Sequence, residues 1–198
     1  MSRIFKAALF DLDGTLTDTE DQYTVIWGRL SRKYRPDIPD LEYIIKGTTL
    51  ENILATYFAP ETHEAIVREL DEYEAGMDYS FFPFVEEFIR DIRAHGVKCA
   101  IATSSNRQKM AYAMRNNPLI ASLFDKILTA EDFAASKPAP DCYIRAAEVL
   151  NTPREECIVF EDAYNGLKAG MASGIYTVGL ATGHTIEEIK PLCNMALK

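Results

Sequence analysis

Five short segments that are apolar at almost every position alternate with amphipathic helical segments along most of this chain. The apolar segments are residues 6–10, 97–102, 126–129, 157–160 and 175–180. A strand with a continuous rather than an alternating apolar pattern is typical of a sheet that is covered on both faces. Strands that alternate with helices therefore predict an α/β fold built on a doubly wound parallel sheet.

One long segment, residues 17–81, interrupts this alternation. It contains no convincing strand and three helical stretches, at residues 23–34, 50–58 and 61–74. We therefore predict two domains: a core formed by residues 1–16 and 82–198, and a small α-helical cap formed by residues 17–81 and inserted into that core. The acids near the end of this segment, Glu69, Asp71, Glu72 and Glu74, are interpreted as a solvated helix face.

Local signals also place two helices of the core. Phe84, Val85, Phe88, Ile89 and Ile92 recur at helical spacing and predict a helix with these side chains on its apolar face. Further along the chain, Thr185 and Glu188 have the spacing of a capping box, which predicts that a last helix begins there.

Composition and charge narrow the class of protein. Of the 198 residues, 47% are hydrophobic, which is enough apolar surface for a core. The net charge of −9 disfavours binding to nucleic acid or to an anionic membrane. No segment approaches the roughly 18 apolar residues of a membrane span, and the first residues lack a signal-peptide core. The four cysteines show no metal-binding spacing. We therefore expect a cytoplasmic protein. We also expect a monomer, because the sequence contains no heptad seam for association with a second copy.

Side chains able to do chemistry follow four of the five predicted strands. In chain order they are Asp11, Asp13, Thr103, Ser104, Lys137, Glu161 and Asp162. Ligand sites of open α/β sheets lie outside the carboxyl ends of the strands, so we expect these residues to converge on one edge of the sheet. That convergence would bring four acids, one lysine and two hydroxyls into a single site.

The chemistry of such a site is phosphoryl transfer. Crowded carboxylates such as Asp11, Asp13 and Asp162 suit Mg²⁺, which prefers oxygen ligands and also binds phosphate oxygens. Lys137 and Thr103 can hold a phosphoryl group. A carboxylate kept ionised beside these cations can attack phosphorus and form an aspartyl-phosphate. A second carboxylate two residues away can protonate the leaving oxygen and later deprotonate water.

Each piece also has a simpler interpretation. Asp11-Leu12-Asp13-Gly14-Thr15 could be an acidic turn that closes a strand, and the polar residues after the second and fourth strands could be helix caps. A calcium-binding EF-hand loop also begins Asp-x-Asp, but the sixth position here is Leu16 instead of glycine and the twelfth is Gln22 instead of glutamate. The position of every piece at a strand exit favours a shared site.

With these motifs, the chain resembles the haloacid dehalogenase superfamily, in its β-phosphoglucomutase-like phosphatase branch with a helical cap. The matching motifs are Asp11-Leu12-Asp13-Gly14-Thr15, Thr103, Ser136-Lys137-Pro138, and Phe160-Glu161-Asp162 with Gly166. The resemblance implies that Asp11 is the nucleophile and Asp13 the acid/base. It also implies that Mg²⁺ is held by Asp11, the backbone carbonyl of Asp13 and Asp162, with Glu161 beside the metal.

The same resemblance assigns the groups that hold the substrate. Thr103, Ser104 and Lys137 would bind the transferring phosphoryl group. Lys46 and Gly47, with the threonines that follow them, lie where related caps contact the leaving group, although Thr48 or Thr49 could simply cap a helix.

Two departures from the family pattern bear on activity. β-Phosphoglucomutases carry a catalytic histidine at the position of Tyr23 and a phosphate-binding arginine at the position of Leu50. Without that arginine, a second phosphate loses its bidentate clamp. The sequence therefore predicts a Mg²⁺-dependent phosphatase for a small phosphorylated metabolite, such as a sugar phosphate. The alternatives are a phosphomutase, a dehalogenase, which would need neither Asp13 nor Asp162, and a non-catalytic phosphate-binding module.

Overall fold

Six parallel strands form the sheet in a computed structural model that describes residues 4–46 and 48–198. The strands are β1 (Ala7–Phe10), β2 (Lys98–Ala102), β3 (Lys126–Leu128), β4 (Cys157–Glu161), β5 (Tyr176–Leu180) and β6 (Met195–Leu197). Their order across the sheet is β3-β2-β1-β4-β5-β6, and each neighbouring pair is parallel. The predicted parallel sheet is confirmed, with one strand more than the sequence indicated.

Both faces of the sheet are covered, as the apolar pattern of the strands predicted. Along β1, Ala7 and Leu9 belong to one cluster of buried side chains, whereas Ala8 and Phe10 belong to another on the opposite face. All four residues are buried. The central position of β1, between β2 and β4, therefore explains why none of its residues is polar.

Ten α-helices are described. They are α1 (Glu20–Tyr34), α2 (Leu41–Ile44), α3 (Leu50–Tyr57), α4 (His63–Glu74), α5 (Val85–Ala94), α6 (Arg107–Asn116), α7 (Leu119–Leu123), α8 (Asp141–Val149), α9 (Tyr164–Ala172) and α10 (Ile186–Ile189). Helices α5 to α10 lie between or after strands of the sheet. No helix in residues 4–46 and 48–198 is long and apolar enough to span a membrane.

Helices α1 to α4 pack around a hydrophobic cluster of their own. Its buried members include Ile26, Leu30, Leu41, Ile53 and Ile66, which come from all four helices. The chain leaves the sheet and returns to it at neighbouring points, because Thr17 forms isolated bridges with both Asp13 and Phe81. This arrangement agrees with a helical insertion, while the domain boundaries at 16/17 and 81/82 stay a prediction.

The helix predicted from Phe84 begins one residue later, and Phe84 is not on its buried face. Its side chain is 79% exposed and its φ is +69°, in the left-handed region, because the chain turns there before α5 starts. The predicted capping box is confirmed: Thr185 accepts the backbone N–H of Glu188, and the Glu188 carboxylate accepts from Thr185 in return. The helix that it opens has only four residues.

Candidate active site

The carboxyl ends of the strands bring the predicted site residues together. A cavity of about 120 Å³ lies between this edge of the sheet and the helices α1 to α4. Among its lining residues are Asp11, Asp13, Thr103, Ser104, Lys137 and Glu161 from the core, and Lys46 from the other wall. Asp162 does not line the cavity, but it is close enough to Asp11 and Glu161 to be affected by their charges, and its Oδ1 accepts a hydrogen bond of 2.8 Å from the Thr15 hydroxyl. Gly47 lies outside the described residues.

Lys137 is the centre of a buried ion-paired group. Its Nζ lies 2.5 Å from Asp11 Oδ1 and 2.7 Å from Glu161 Oε1, and only 3% of the residue is exposed. Burial acts to lower the pKa of Lys137, but the two carboxylates hold it well above its usual value. Lys137 therefore stays charged and faces the candidate nucleophile from the loop between β3 and α8.

Glu161 uses both of its oxygens inside the protein. Oε1 accepts from Lys137 and, at 3.1 Å, from the Tyr143 hydroxyl, whereas Oε2 accepts the backbone N–H of Ala163 at 2.8 Å. These three donors fix the carboxylate on the Lys137 side of the site. The arrangement fits a group that holds Lys137 in place better than a group that offers a free oxygen to a metal ion.

Asp11 and Asp162 carry more negative charge than their surroundings neutralise. Burial raises the pKa of Asp11 to about 7, and repulsion from Glu161 and Asp13 adds to this while Lys137 opposes it. Burial, with repulsion from Glu161 and Asp11, also raises the pKa of Asp162 well above its usual value. A divalent cation would relieve both effects, so the donor set fits Mg²⁺.

The described residues contain no group of three or more His, Cys, Asp or Glu side chains arranged as a metal site. The predicted Mg²⁺ ligands do not require such a group of three side chains. It uses two carboxylates, from Asp11 and Asp162, with the backbone carbonyl of Asp13 and oxygens from the substrate and water, which is usual for Mg²⁺.

Asp13 is paired with a lysine that the sequence did not single out. Lys109 Nζ lies 2.5 Å from Asp13 Oδ2, and this oxygen also accepts from the Ser105 hydroxyl at 3.0 Å. Thr19 donates to Oδ1 at 2.7 Å. Burial acts to raise the pKa of Asp13, but Lys109 and the two hydroxyl donors lower it below its usual value. The carboxylate is therefore held in one orientation.

The start of α6 explains how Lys109 reaches the site. Asn106 caps this helix by accepting the backbone N–H of Lys109 at 2.8 Å, which places Lys109 in the first turn. A lysine in the first turn of the helix after β2 lies over the same sheet edge as Thr103. The sequence offers only this spacing, which does not distinguish a buried lysine from a solvated one on an amphipathic helix.

Two hydroxyls after β2 differ in their hydrogen bonding. Thr103 is 1% exposed, and its Oγ1 lies 3.1 Å from both Ser105 Oγ and the Ser105 backbone nitrogen. The buried Oγ of Ser104 has no hydrogen-bond partner within the part of the chain that the structure describes. Because Ser104 lines the cavity, this hydroxyl is available to a ligand.

The helical wall of the cavity places further charged groups over the site. Tyr23 donates its hydroxyl to Glu74 at 2.8 Å, and its ring centre lies 4.1 Å from Lys109 Nζ. The interpretation of Glu74 as part of a solvated face is wrong, because Glu74 is buried and lines the cavity. It is the last residue of α4, where the helix meets the core, and burial raises its pKa.

Two hydrogen bonds join the helical wall to the core around the cavity. Asn52 donates to the hydroxyl of Ser136, next to Lys137, and Asn165 donates to the hydroxyl of Thr48 at 3.4 Å. Thr49 accepts the backbone N–H of Asn52 and so caps α3. This agrees with the interpretation of Thr48 or Thr49 as a helix cap. The cavity is therefore covered by the helices in this structure.

Gly166 allows Glu161 to occupy its position. A Cβ atom at residue 166 would lie 1.6 Å from Glu161 Oε1, which is far inside any allowed contact distance. The first turn of α9 therefore passes directly beneath the carboxylate that holds Lys137. Only glycine leaves this space free.

We expect Gly166→Ala to damage both activity and stability. The added methyl group would displace Glu161 and break its buried pair with Lys137, so the free energy of unfolding should fall by about 2–5 kcal/mol. Thermal unfolding and turnover of the purified variant measure the two effects. Gly183→Ala is the matched control, because a Cβ there meets nothing within 4 Å. Equal unfolding midpoints for the two variants would contradict the argument.

Comparison with known proteins places the chain in a family. The model of the haloacid dehalogenase-like hydrolase family matches residues 8–180. The chain is 30% identical to validoxylamine A 7'-phosphate phosphatase of Streptomyces hygroscopicus subsp. limoneus, over 94% of this chain and 90% of that protein. It is 27% identical to the β-phosphoglucomutase of Bacillus subtilis, over 90% and 84% of the two chains.

Solved structures agree with these relatives. The crystal structure of a haloacid dehalogenase hydrolase of family IA, variant 3, from Entamoeba histolytica superposes with a TM-score of 0.82 at 25% identity, over 98% of this chain and 92% of that one. The chain therefore belongs to the haloacid dehalogenase-like hydrolase family. Within that superfamily it falls in the β-phosphoglucomutase-like branch.

Proposed function

We propose that this protein is a Mg²⁺-dependent phosphatase that hydrolyses a small phosphomonoester through an aspartyl-phosphate on Asp11. One observation carries the proposal: the buried Lys137 ammonium lies 2.5 Å from Asp11, in a cavity that also contains Asp13. A carboxylate alone would repel a phosphate dianion. With Lys137 beside it, the same carboxylate can approach phosphorus.

The phosphoryl group would be held by donors from two loops, those that follow β2 and β3. Lys137 supplies a charge, Thr103 and Ser104 supply hydroxyls, and the Ser104 hydroxyl has no other partner within the described residues. Mg²⁺, held by Asp11, Asp162 and the carbonyl of Asp13, would neutralise the charge that these carboxylates share with the phosphate. Glu161 would act by holding Lys137 in position.

The reaction would take place in two steps. Asp11 attacks phosphorus and the bond to the leaving oxygen breaks, while Asp13 gives that oxygen a proton. For this step Asp13 would take up a proton when the substrate binds, because the negative charge of the phosphate opposes the effect of Lys109 on the pKa of Asp13. Asp13 then takes a proton from water, which attacks the aspartyl-phosphate and releases inorganic phosphate. Lys109, Ser105 and Thr19 keep the Asp13 carboxylate at a fixed position between these steps.

A phosphomutase would need to hold a second phosphate of its substrate in the same cavity. At the position of the family's arginine, Leu50 lines the cavity and offers no charge. Supplying β-glucose 1-phosphate with a trace of the bisphosphate separates the two activities. We expect free phosphate as the product, whereas the appearance of glucose 6-phosphate would establish a mutase.

The proposed activity is tested with a panel of phosphomonoesters, with Mg²⁺ and after treatment with a chelator. We expect phosphate release with Mg²⁺ and a loss of at least about 100-fold without it, because the charge shared by Asp11, Asp162 and the substrate is then not neutralised. Returning Mg²⁺ should restore turnover, and Ca²⁺ should not, because its larger, irregular coordination shell fits this set poorly. Full activity in the chelator would refute metal dependence.

A further inference from the structure

The charged groups of the cavity also bear on the chemical class of the substrate. We propose that the helical wall selects a leaving group that is uncharged or cationic and that carries no second anionic group. This inference rests on the proposed phosphatase function and concerns the half of the substrate that leaves. Its basis is that the lysines lining the cavity are already paired with carboxylates of the protein, whereas one lining carboxylate is not paired.

Three lysines line the cavity within the described residues, and each has a partner. Lys137 is paired with Asp11 and Glu161, and it would face the transferring phosphoryl group. Lys46, the predicted substrate contact on the helical wall, forms an ion pair with Glu20. The lysine predicted to hold the leaving group is therefore neutralised by a carboxylate of the same wall.

The third lysine, Lys109, is enclosed by groups of the protein. Its Nζ lies 2.5 Å from Asp13, the ring of Tyr23 covers it at 4.1 Å, and the carboxylate of Glu74 lies beside it and hydrogen-bonds to Tyr23. An anionic substituent could reach Lys109 only by displacing Asp13, the group that we place as acid/base. Lys109 is thus not a docking point for a second anion.

Glu42 is the charged lining residue without a partner. It is partly buried in α2, and it forms no ion pair or hydrogen bond within residues 4–46 and 48–198. The Arg32 guanidinium lies near Glu42, because both side chains approach Gly28, but the two do not form an ion pair. The helical wall therefore contributes three carboxylates, Glu20, Glu42 and Glu74, against the single lysine Lys46.

The rest of this wall is apolar. Its other lining residues include Trp27, Ile45, Leu50, Ile53 and Leu70. A second phosphate or a carboxylate on the leaving group would meet apolar surface and excess negative charge, which costs free energy in a desolvated cavity. A leaving group with an apolar face, with or without an ammonium group, meets no such penalty, and an ammonium group is attracted to Glu42.

A series of aryl phosphates of nearly equal size tests this selection. The wild-type enzyme with Mg²⁺ is given phenyl phosphate, 4-carboxyphenyl phosphate and 4-(aminomethyl)phenyl phosphate. We expect kcat/KM for the carboxylated ester to be about tenfold or more below that of the other two, because like charges are brought together in the cavity. The carboxylate does not make the phenolate a poorer leaving group, so a lower value reports on the wall.

Glu42→Lys should reverse this preference. The ratio of kcat/KM for the carboxylated ester to that for the aminomethyl ester should rise by about tenfold or more, because one charge of the wall changes sign. Glu42→Gln should raise the ratio by a smaller factor. A ratio of the kcat/KM values of two substrates, measured on the same enzyme sample, is unaffected by any change in the fraction of folded enzyme. Glu72→Lys is the matched control, because Glu72 is exposed on α4 and does not line the cavity.

The outcomes separate the two proposals. If the wild-type enzyme hydrolyses none of the three esters and no ester of the panel in the presence of Mg²⁺, the phosphatase function itself is wrong. If it hydrolyses esters of the panel but not phenyl phosphate, the phosphatase function stands and the wall does not accept the apolar leaving group that we propose. If it hydrolyses the carboxylated ester as well as the others, or if Glu42→Lys and Glu72→Lys change the ratio equally, the phosphatase function stands and the selection against anions is wrong.

Discussion

Replacing Asp11 with asparagine should reduce kcat by at least about 10⁴-fold, because the amide cannot attack phosphorus and no second nucleophile is aimed at the same point. Phosphate release from the best ester of the panel measures the effect. Asp21→Asn is the matched control, because Asp21 is exposed in the first turn of α1 and does not line the cavity. Turnover of Asp11→Asn close to that of the control would remove Asp11 from the role of nucleophile.

The same variant should not lose stability. The folded-state pKa of Asp11 is about 7, above that of an exposed aspartate, so its ionised form destabilises the fold. The resulting loss of folding free energy grows as the pH rises from about 4 to about 7, and it is fully present at pH 8. Asparagine carries no charge, so metal-free Asp11→Asn should unfold at the same temperature as the parent at pH 8, or at a higher one. A lower midpoint would show that the inactivity reflects damage to the fold.

Lys137→Met should have the second large effect, on stability and activity together. Removing the ammonium leaves the carboxylates of Asp11 and Glu161 buried without their cation, which typically costs about 3–5 kcal/mol. For a chain of this length, that lowers the unfolding midpoint by about 6–20 °C. The loss should be greatest at high pH and shrink as the pH falls, because protonation removes the unpaired charge.

Turnover of Lys137→Met should fall by about 10³-fold or more, because the transferring phosphoryl group loses a charge that faces it. The control is Lys168→Met, since Lys168 is exposed on α9 and does not line the cavity. Mg²⁺ should restore part of the lost stability, because it binds the carboxylates of the folded state only. Identical midpoints for the two variants would show that Lys137 does not neutralise the buried acids.

The sheet and the convergence of the site could be predicted because both follow from local patterns and one topological rule. Asp11, Lys137 and Asp162 are far apart in the sequence, but each follows a strand of the same parallel sheet. The carboxyl ends of such strands share an edge, so the order of the chain is enough to bring the three residues together. The sixth strand, β6, was missed because it has three residues, mostly exposed, and lies at the edge.

Lys109 and Glu74 could not be identified by the same reasoning. A charged residue on an amphipathic helix is solvated unless something distant covers it, and the local pattern does not report distant partners. Lys109 is buried because α6 meets Asp13 on one side and Tyr23 on the other. Glu74 is buried because α4 ends against the core. Both positions depend on how the helices α1 to α4 lie on the sheet, which is a tertiary property.

The position of β1 in the sheet has a consequence for synthesis of the protein. This strand is the first to leave the ribosome, yet its two neighbours, β2 and β4, begin only at Lys98 and Cys157. At a translation rate of about 5–20 residues per second, about 8–30 s separate the synthesis of β1 from that of β4. During this time the nascent chain carries an apolar segment with an unpaired edge, and such segments are prone to aggregate.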